Sequence, residues 1–461
     1  MRRSRLGLIS SALAVKWQFL SPRLAGRAQA ICLTLVLLAP GAATALAAEA
    51  EVAVDDSGVR SRVSTSQGHA GHRWDERTFN LNSGAARYAF RYSACVDPSH
   101  GDSRPAGEGT LGMPVPSSTN WYHSGFLFLS INGKEATAFP LSDSRVLEKG
   151  ARGSFQMVFE HPDAVVGLRA LMLPGANHVL MDLTWTPRTP GAVKSASLKA
   201  ICYPSFFTSW HKRKGDRHCM TPRIDEREPK TLELDPAADG YLYYYDTIFD
   251  VARGEGDGPC ALIFTPEGVQ SGQVNIGNYA VITTLTLKPD AGRVRLAFYD
   301  FTGKKNAEAE AYLKAHGLED RARLAEMDFR PEGVRTLQVA QLEADAAKCL
   351  ADAGEDGKPF QPKVTDLLTK VKELKAKADV NDWRAEAELA GLLLDSQDLF
   401  WKLRIAALLN APWSGPSARV SLPDLERWPA RCSLTRPAEE PAVSCSRRLQ
   451  LGKSRLKRRE S

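Results

Sequence analysis

Between about Arg77 and Phe301 the chain is a succession of short apolar runs cut by Gly, Pro, Asn and Asp, with no helical period between any two of them. The runs include Gly125-Phe-Leu-Phe-Leu-Ser-Ile131, Phe155-Gln-Met-Val-Phe159, Val166-Gly-Leu-Arg-Ala-Leu-Met-Leu173, His178-Val-Leu-Met-Asp-Leu-Thr-Trp185 and Tyr279-Ala-Val-Ile-Thr-Thr-Leu-Thr-Leu287. Branched and aromatic residues in runs of this length, bounded by turn formers, predict strands. Parallel strands need long crossovers, usually helical, so their absence predicts an antiparallel β-sandwich. Leu183-Thr-Trp185 and Val294-Arg-Leu-Ala-Phe298 are apolar at alternate positions, which predicts a sheet with one buried face. Asn132-Gly133 sits between two runs and predicts a two-residue type I′ hairpin. The sandwich is placed at residues 77–303, with the polar stretch 49–76 read as a linker leading into it.

The period changes after residue 304. Asn306–His316 reads as a short helix stopped by Gly317, and Gly333–Ala353 as a second, closed by Gly354. Val364, Leu367, Leu368, Val371, Leu374 and Ala378 then fall on one helical stripe. A longer helix over 382–410 carries Leu389, Leu392, Leu393, Leu399, Phe400, Leu403 and Ala407 on one side and ends before Pro412. Two such helices joined by a few residues should pack as a hairpin. Residues 304–412 are therefore a helical segment. Residues 413–461 show no period, are rich in Arg, Ser and Pro, and read as a disordered basic tail.

The two ends of the chain distort its charge. Residues 1–30 hold six basic residues and no acid, and residues 431–461 hold nine basic residues against three acidic ones. Each end thus contributes six net positive charges, and the whole chain carries only +6, so the body between them carries six net negative ones. That charge removes the basic face a nucleic-acid partner would need. At the N-terminus a basic stretch is followed by the apolar run Ile31–Ala39 and then by Ala45-Leu46-Ala47. This is the order of an export signal, placed at residues 1–48, with a run too short to serve as a transmembrane helix. No later stretch is apolar enough to span a bilayer. The expected location is the periplasm or the extracellular space.

Export permits disulfides. Beyond Cys32, inside the signal, there are seven cysteines. Cys202 and Cys219 flank one loop and could close it, and Cys432 and Cys445 could pair in the tail, but spacing does not determine pairing. No Cys-x-x-Cys occurs, and the common nucleophile, zinc-protease, phosphate-loop and dinucleotide motifs are all absent. No cofactor or metal is expected. His69 and His72 near Asp75 and Glu76, and His211, His218 and Cys219, match no metal-site spacing.

The unusual local feature is aromatic and polar residues crowded into predicted loops. Asn120-Trp-Tyr-His-Ser124, Tyr203–His211 and Tyr241-Leu-Tyr-Tyr-Tyr-Asp246 are the three clusters. A carbohydrate presents apolar C–H faces and a hydroxyl rim, which flat aromatic rings beside Asn, Asp or His would suit. The candidate ligand-binding residues are Trp121, Tyr122, His123, Trp210, His211, Tyr245 and Asp246. Alternate members of 241–245 must face opposite sides of a sheet, so only some of them can line one surface.

Residues of about 111–301 resemble the galactose-mutarotase-like, carbohydrate-handling β-sandwich domains. The resemblance lies in the texture of Phe155–Trp185, with Leu173-Pro-Gly before His178-Val-Leu-Met-Asp-Leu, and of Leu198-Lys-Ala-Ile-Cys-Tyr-Pro204. It implies carbohydrate binding or processing. Enzymes of that type use a histidine and a glutamate as acid and base; no such pair can be matched here, and no catalytic residue is assigned. Hydrolase relatives often add a helical toroid, for which residues 304–411 are too few. Two functions remain open: a carbohydrate-binding or carbohydrate-processing sandwich, and a non-enzymatic envelope protein whose helical segment docks a protein partner.

Overall fold

The computed structural model describes residues 51–65, 70–97, 109–115, 121, 125–203, 217–227, 229–246, 259–277, 280–301, 303–380 and 382–410. Among the described residues, twenty strands precede the α-helices. They are β1 (Ala53–Asp56), β2 (Arg60–Val63), β3 (Arg73–Asn82), β4 (Arg87–Cys95), β5 (Gly109–Val115), β6 (Leu127–Ile131), β7 (Lys134–Glu135), β8 (Leu141–Glu148), β9 (Gly153–Glu160) and β10 (Ala164–Met172). After them come β11 (His178–Pro187), β12 (Ala196–Cys202), β13 (Arg217–Met220), β14 (Asp225–Glu226), β15 (Thr231–Leu234), β16 (Tyr241–Asp246), β17 (Cys260–Phe264), β18 (Val269–Ile276), β19 (Val281–Leu287) and β20 (Arg293–Asp300).

The strands form three sheets with antiparallel pairing throughout. The five-stranded sheet runs β1-β3-β4-β5 with β2 also on β3, the nine-stranded sheet runs β14-β13-β16-β17-β20-β11-β10-β9-β8, and the six-stranded sheet runs β15-β18-β19-β12-β6-β7. One apolar core joins all three. Phe79 and Phe90 bring the five-stranded sheet onto Phe155 of the nine-stranded sheet, with ring centroids at 4.5 and 5.2 Å, and Phe126 meets Phe298 at 5.2 Å. The Asn132-Gly133 turn forms as expected: both residues have positive φ, and Ile131 pairs with Lys134 across it.

The expectation of one buried face holds for the six-stranded sheet, where β12 and β19 alternate buried with less buried residues. It fails for the middle of the nine-stranded sheet. All five residues of β17 are buried, as are Leu296, Ala297, Phe298 and Tyr299 of β20. Helices cover the face that the other two sheets leave open. The segment read as a linker is also corrected: β1, β2 and the start of β3 lie inside 49–76. Val52 and Val54 point into the core there, against Gly153, where any side chain would collide with Val52. β2, by contrast, is exposed along its whole length, which accounts for many of the polar residues of that segment.

The helices are α1 (Asn306–Glu326), α2 (Glu332–Arg335), α3 (Val339–Ala353), α4 (Gln361–Ala378) and α5 (Trp383–Asn410). α1 does not stop at Gly317. It continues for more than two further turns, because Gly317 is the point at which the helix seats on β16; a Cβ there would lie 2.5 Å from Tyr241 Cδ1. The second expected helix is broken into α2 and α3, and Gly354, at φ +54°, ends α3 as its position predicted. The predicted stripe of α4 is buried at Val364, Leu367, Val371, Leu374 and Ala378, and α4 packs on α5 as expected. α3, α4 and α5 share a second apolar cluster, in which Leu147 of β8 also takes part. Among the described residues no helix is long and apolar enough to cross a membrane. The predicted tail, 413–461, lies outside the described residues.

Candidate functional site

Of the seven residues proposed for ligand contact, Tyr122, His123, Trp210 and His211 lie outside the described residues. Trp121 is fully buried; it bridges to Cys202 and packs edge-on against Phe298 and Tyr244, with centroids 4.9 and 6.2 Å away. Tyr245 is 9% exposed and meets the buried His218 ring edge-on at 4.6 Å. His218 in turn hydrogen-bonds Asp225. Asp246 ends β16, opposite Arg217 in register.

The alternation of β16 separates these aromatics. Tyr244 points towards the six-stranded sheet, where its hydroxyl lies 2.6 Å from Thr283 Oγ1, and it joins Trp121 in the main core. Tyr241, Tyr243 and Tyr245 point the other way, into the cluster beneath α1. Burial raises the pKa of Tyr243, Tyr244 and Tyr245. The structure therefore brings Trp121 to Tyr244 rather than to Tyr245, and neither Trp121 nor Tyr245 offers a face to solvent. Among the described residues no group of three or more His, Cys, Asp or Glu is placed to hold a metal.

Two concavities stand out among the described residues. One is a polar hollow of about 430 Å³ on the five-stranded sheet, lined by Asp55, Asp56, Arg60, Glu76, Asn80 and Arg91 among others. Two of its carboxylates are already engaged within the protein. Glu76 accepts from Arg62 Nε at 2.8 Å and Ser93 Oγ at 3.0 Å, and Asp56 pairs with Arg77 at 2.5 Å. Burial raises the Asp56 pKa, but hydrogen bonds from Arg77 and the Gly58 N–H outweigh it and leave a net lowering. A carboxylate held ionised by its own arginine is poorly suited to donating a proton.

The other concavity is an apolar groove of about 550 Å³ where the helices meet the sheets. One wall comes from Leu147 to Arg152 and from Pro331 to Leu337; the other is α5, through Leu394, Gln397, Trp401 and Arg404. At the junction, buried Glu148 accepts the Glu332 N–H at 2.5 Å and the Ser154 hydroxyl at 3.0 Å. Asp382 caps α5 by accepting the Arg384 and Ala385 N–H groups at 3.0 and 3.1 Å. Beyond the groove α5 keeps large apolar side chains in solvent: Trp401 is 56% exposed, Ile405 40% and Leu408 49%. They stand at i, i+4 and i+7, one face of the helix. Leu403, at 0%, and Phe400, at 6%, occupy the opposite, buried face.

The stripe predicted for α5 leaves out Trp401. The available signal was an excess. From Leu399 to Leu408 all but two residues are apolar, Lys402 and Arg404 being the exceptions, which is more than one buried stripe requires.

No protein-family model and no curated protein matches this chain. The solved structures it resembles include a TPR-domain-containing protein from Parabacteroides distasonis, at 8% identity and a TM-score of 0.33, with 56% of each chain covered. They also include the GH36 α-galactosidase AgaB from Geobacillus stearothermophilus, at 11% identity and a TM-score of 0.29, with 53% of this chain and 41% of that one covered. A third is the α-N-acetylgalactosaminidase NagBb from Bifidobacterium bifidum, at 10% and 0.30, covering 60% and 42%. The chain spans between 41% and 56% of these proteins, and the resemblance is distant.

Proposed function

We propose that this is a non-enzymatic interaction protein in which a closed β domain carries a helical docking surface, and that the partner docked on α5 is a second copy of the same chain. One observation carries the reading: the exposed face of α5 is self-complementary about Trp401. Leu394 and Leu408 stand seven residues before and after it, and Asp398 and Arg404 stand three before and after. In an antiparallel pair of α5 helices with a twofold axis at Trp401, Leu394 of each copy meets Leu408 of the other. Asp398 of each copy likewise meets Arg404 of the other. Twofold interfaces match one patch with itself in this way. The groove lined by Leu394, Gln397 and Trp401 gives the second copy's indole an apolar seat.

The same facts weigh against carbohydrate contact through the expected aromatics. The described members of that platform are inside the protein, whereas an exposed aromatic with apolar neighbours stands at Trp401. Export is part of the proposal and is supported by the order of basic, apolar and small residues in 1–48.

Sedimentation velocity over a concentration series tests the assignment. The wild-type chain should form a dimer, and Trp401→Glu should be monomeric and keep the melting curve that the wild type shows when dilute enough to be monomeric, because exposed substitutions cost little stability. Asp398→Arg and Arg404→Asp should each weaken the dimer by about tenfold, since the twofold counts each contact twice. The double swap should restore it. A wild type that stays monomeric throughout, or a double swap no tighter than the singles, overturns the second copy as the occupant.

A further inference from the structure

Three of the cysteines meet in the main core. Cys202 ends β12 in the six-stranded sheet, and Cys219 and Cys260 lie on β13 and β17 of the nine-stranded sheet; all three are buried. The loop-flanking pair suggested by spacing was Cys202 with Cys219. The structure instead places Cys202 Sγ 3.2 Å from Cys260 Sγ, across the gap between the two sheets.

Register separates Cys260 from Cys219. Cys219 pairs with Tyr244, and Tyr244 pairs with Cys260, so the three form one row across adjacent strands. Two strand spacings put the Cα atoms of Cys219 and Cys260 roughly 10 Å apart, beyond the roughly 7 Å that a disulfide spans. The Tyr244 side chain stands between them on the same face. Cys202 arrives from the facing sheet, on the inward side of an alternating strand, where Ala196, Leu198, Ala200 and Cys202 are all buried.

We propose that Cys202 and Cys260 form a disulfide that staples the six-stranded sheet to the nine-stranded sheet. The bond requires the sulfurs to approach by about 1 Å from where they stand. It forms by exchange with a small disulfide such as oxidised glutathione. One cysteine thiolate attacks a glutathione sulfur, releasing one glutathione thiol and leaving a mixed disulfide. The second cysteine thiolate then attacks the protein sulfur and expels the other glutathione thiol. Two protein thiols are oxidised, and one glutathione disulfide is reduced to two thiols. Both sulfurs are shut away from solvent in the finished core, and burial raises the pKa of the Cys260 thiol further, so the bond closes while the sheets dock. Once closed it ties together the ends of a loop of about 60 residues, which narrows the unfolded ensemble.

The test refolds the full-length chain, denatured and reduced, in a mixture of oxidised and reduced glutathione. Remaining thiols are then alkylated in denaturant, and the chain is digested without reduction for mass spectrometry. The expected product links the Cys202 and Cys260 peptides, leaves Cys219 alkylated, and melts about 10 °C above its reduced form. Cys219→Ser should keep both the link and the difference in melting, and Cys260→Ser should leave Cys202 alkylated. Alkylation of both Cys202 and Cys260 in the wild type, or a link from Cys202 to Cys219, overturns the assignment. Because the wild type and Cys219→Ser decide the matter, a folding defect in Cys260→Ser does not.

Discussion

In the sheets, side chains that touch come from distant parts of the chain; in the helical segment they come from neighbouring turns and neighbouring helices. Tyr88 shows the first pattern. Its hydroxyl lies 2.7 Å from the Asn177 carbonyl and accepts the Asp300 N–H at 3.0 Å, tying three remote strand ends together. The α4 stripe shows the second: five residues within four turns bury themselves against α5 and α3. Sheets that close on one another and on α1 use up their apolar faces. A layer of three helices has an outside, and α5 leaves Trp401, Ile405 and Leu408 on it. The exposed apolar face belongs to the region with the more local contacts.

The two regions are joined by a small polar junction, where the comparison can be broken. Glu386, on the first turn of α5, accepts from Arg169 Nη1 of β10 at 2.6 Å and from Arg330 Nε at 2.9 Å, with only 5% of its side chain exposed. Glu386→Gln would leave two guanidinium groups facing a neutral amide. The expected cost is about 3–5 kcal/mol, seen as a lower denaturation midpoint of the helical segment. A loss below about 1 kcal/mol would mean that apolar contact alone joins helices to sheets.

A smaller effect is expected where α1 seats on β16. Gly317→Ala should favour the isolated helix by about 1 kcal/mol, yet it forces a methyl group into the Tyr241 ring, at a cost of about 1–3 kcal/mol. The melting temperature should fall by a few degrees; a rise would mean that α1 rides higher on the sheet than the structure places it.

The smallest effect should appear in acid and tests a purely local element of the β domain. The Asp239 carboxylate is buried and accepts from Thr221 Oγ1 at 2.6 Å, Arg223 Nη2 at 2.5 Å and the Asp235 N–H at 2.8 Å. Burial pushes its pKa up, but the Arg223 hydrogen bond, with those from Thr221 and Asp235, outweighs burial and holds it below the ordinary value of 3.8. A folded-state pKa below the unfolded one contributes stability above the unfolded value, and that contribution is lost as pH falls through the folded value. The difference in melting temperature between wild type and Asp239→Asn should therefore shrink below about pH 4. A difference that stays constant with pH would assign the role of Asp239 to shape rather than charge.

Much of this architecture was legible in the chain. The short apolar runs of 125–131 and 279–287, the Asn132-Gly133 turn, and the α4 stripe each depend on residues within a few positions of one another, so local pattern suffices to read them. Gly317 was read wrongly for the same reason. A glycine that stops a helix and one that lets a helix touch a tyrosine look alike until Tyr241, 76 residues earlier, is in place. Trp121, one of the expected ligand-contact residues, is a similar case. An aromatic residue in a predicted loop is as ready to fill a core as to line a surface, and whether Trp121 meets Phe298 is not encoded near either of them.

By itself the sequence determined the antiparallel β domain and the helical segment after it, because each is written in short-range spacing. Only the tertiary structure decided that Cys202 meets Cys260, that the middle of the nine-stranded sheet is covered on both faces, and that Trp121 and Tyr245 lie inside the protein. Those outcomes depend on how separate sheets pack together, and packing is settled by shape and register between segments that no local pattern connects.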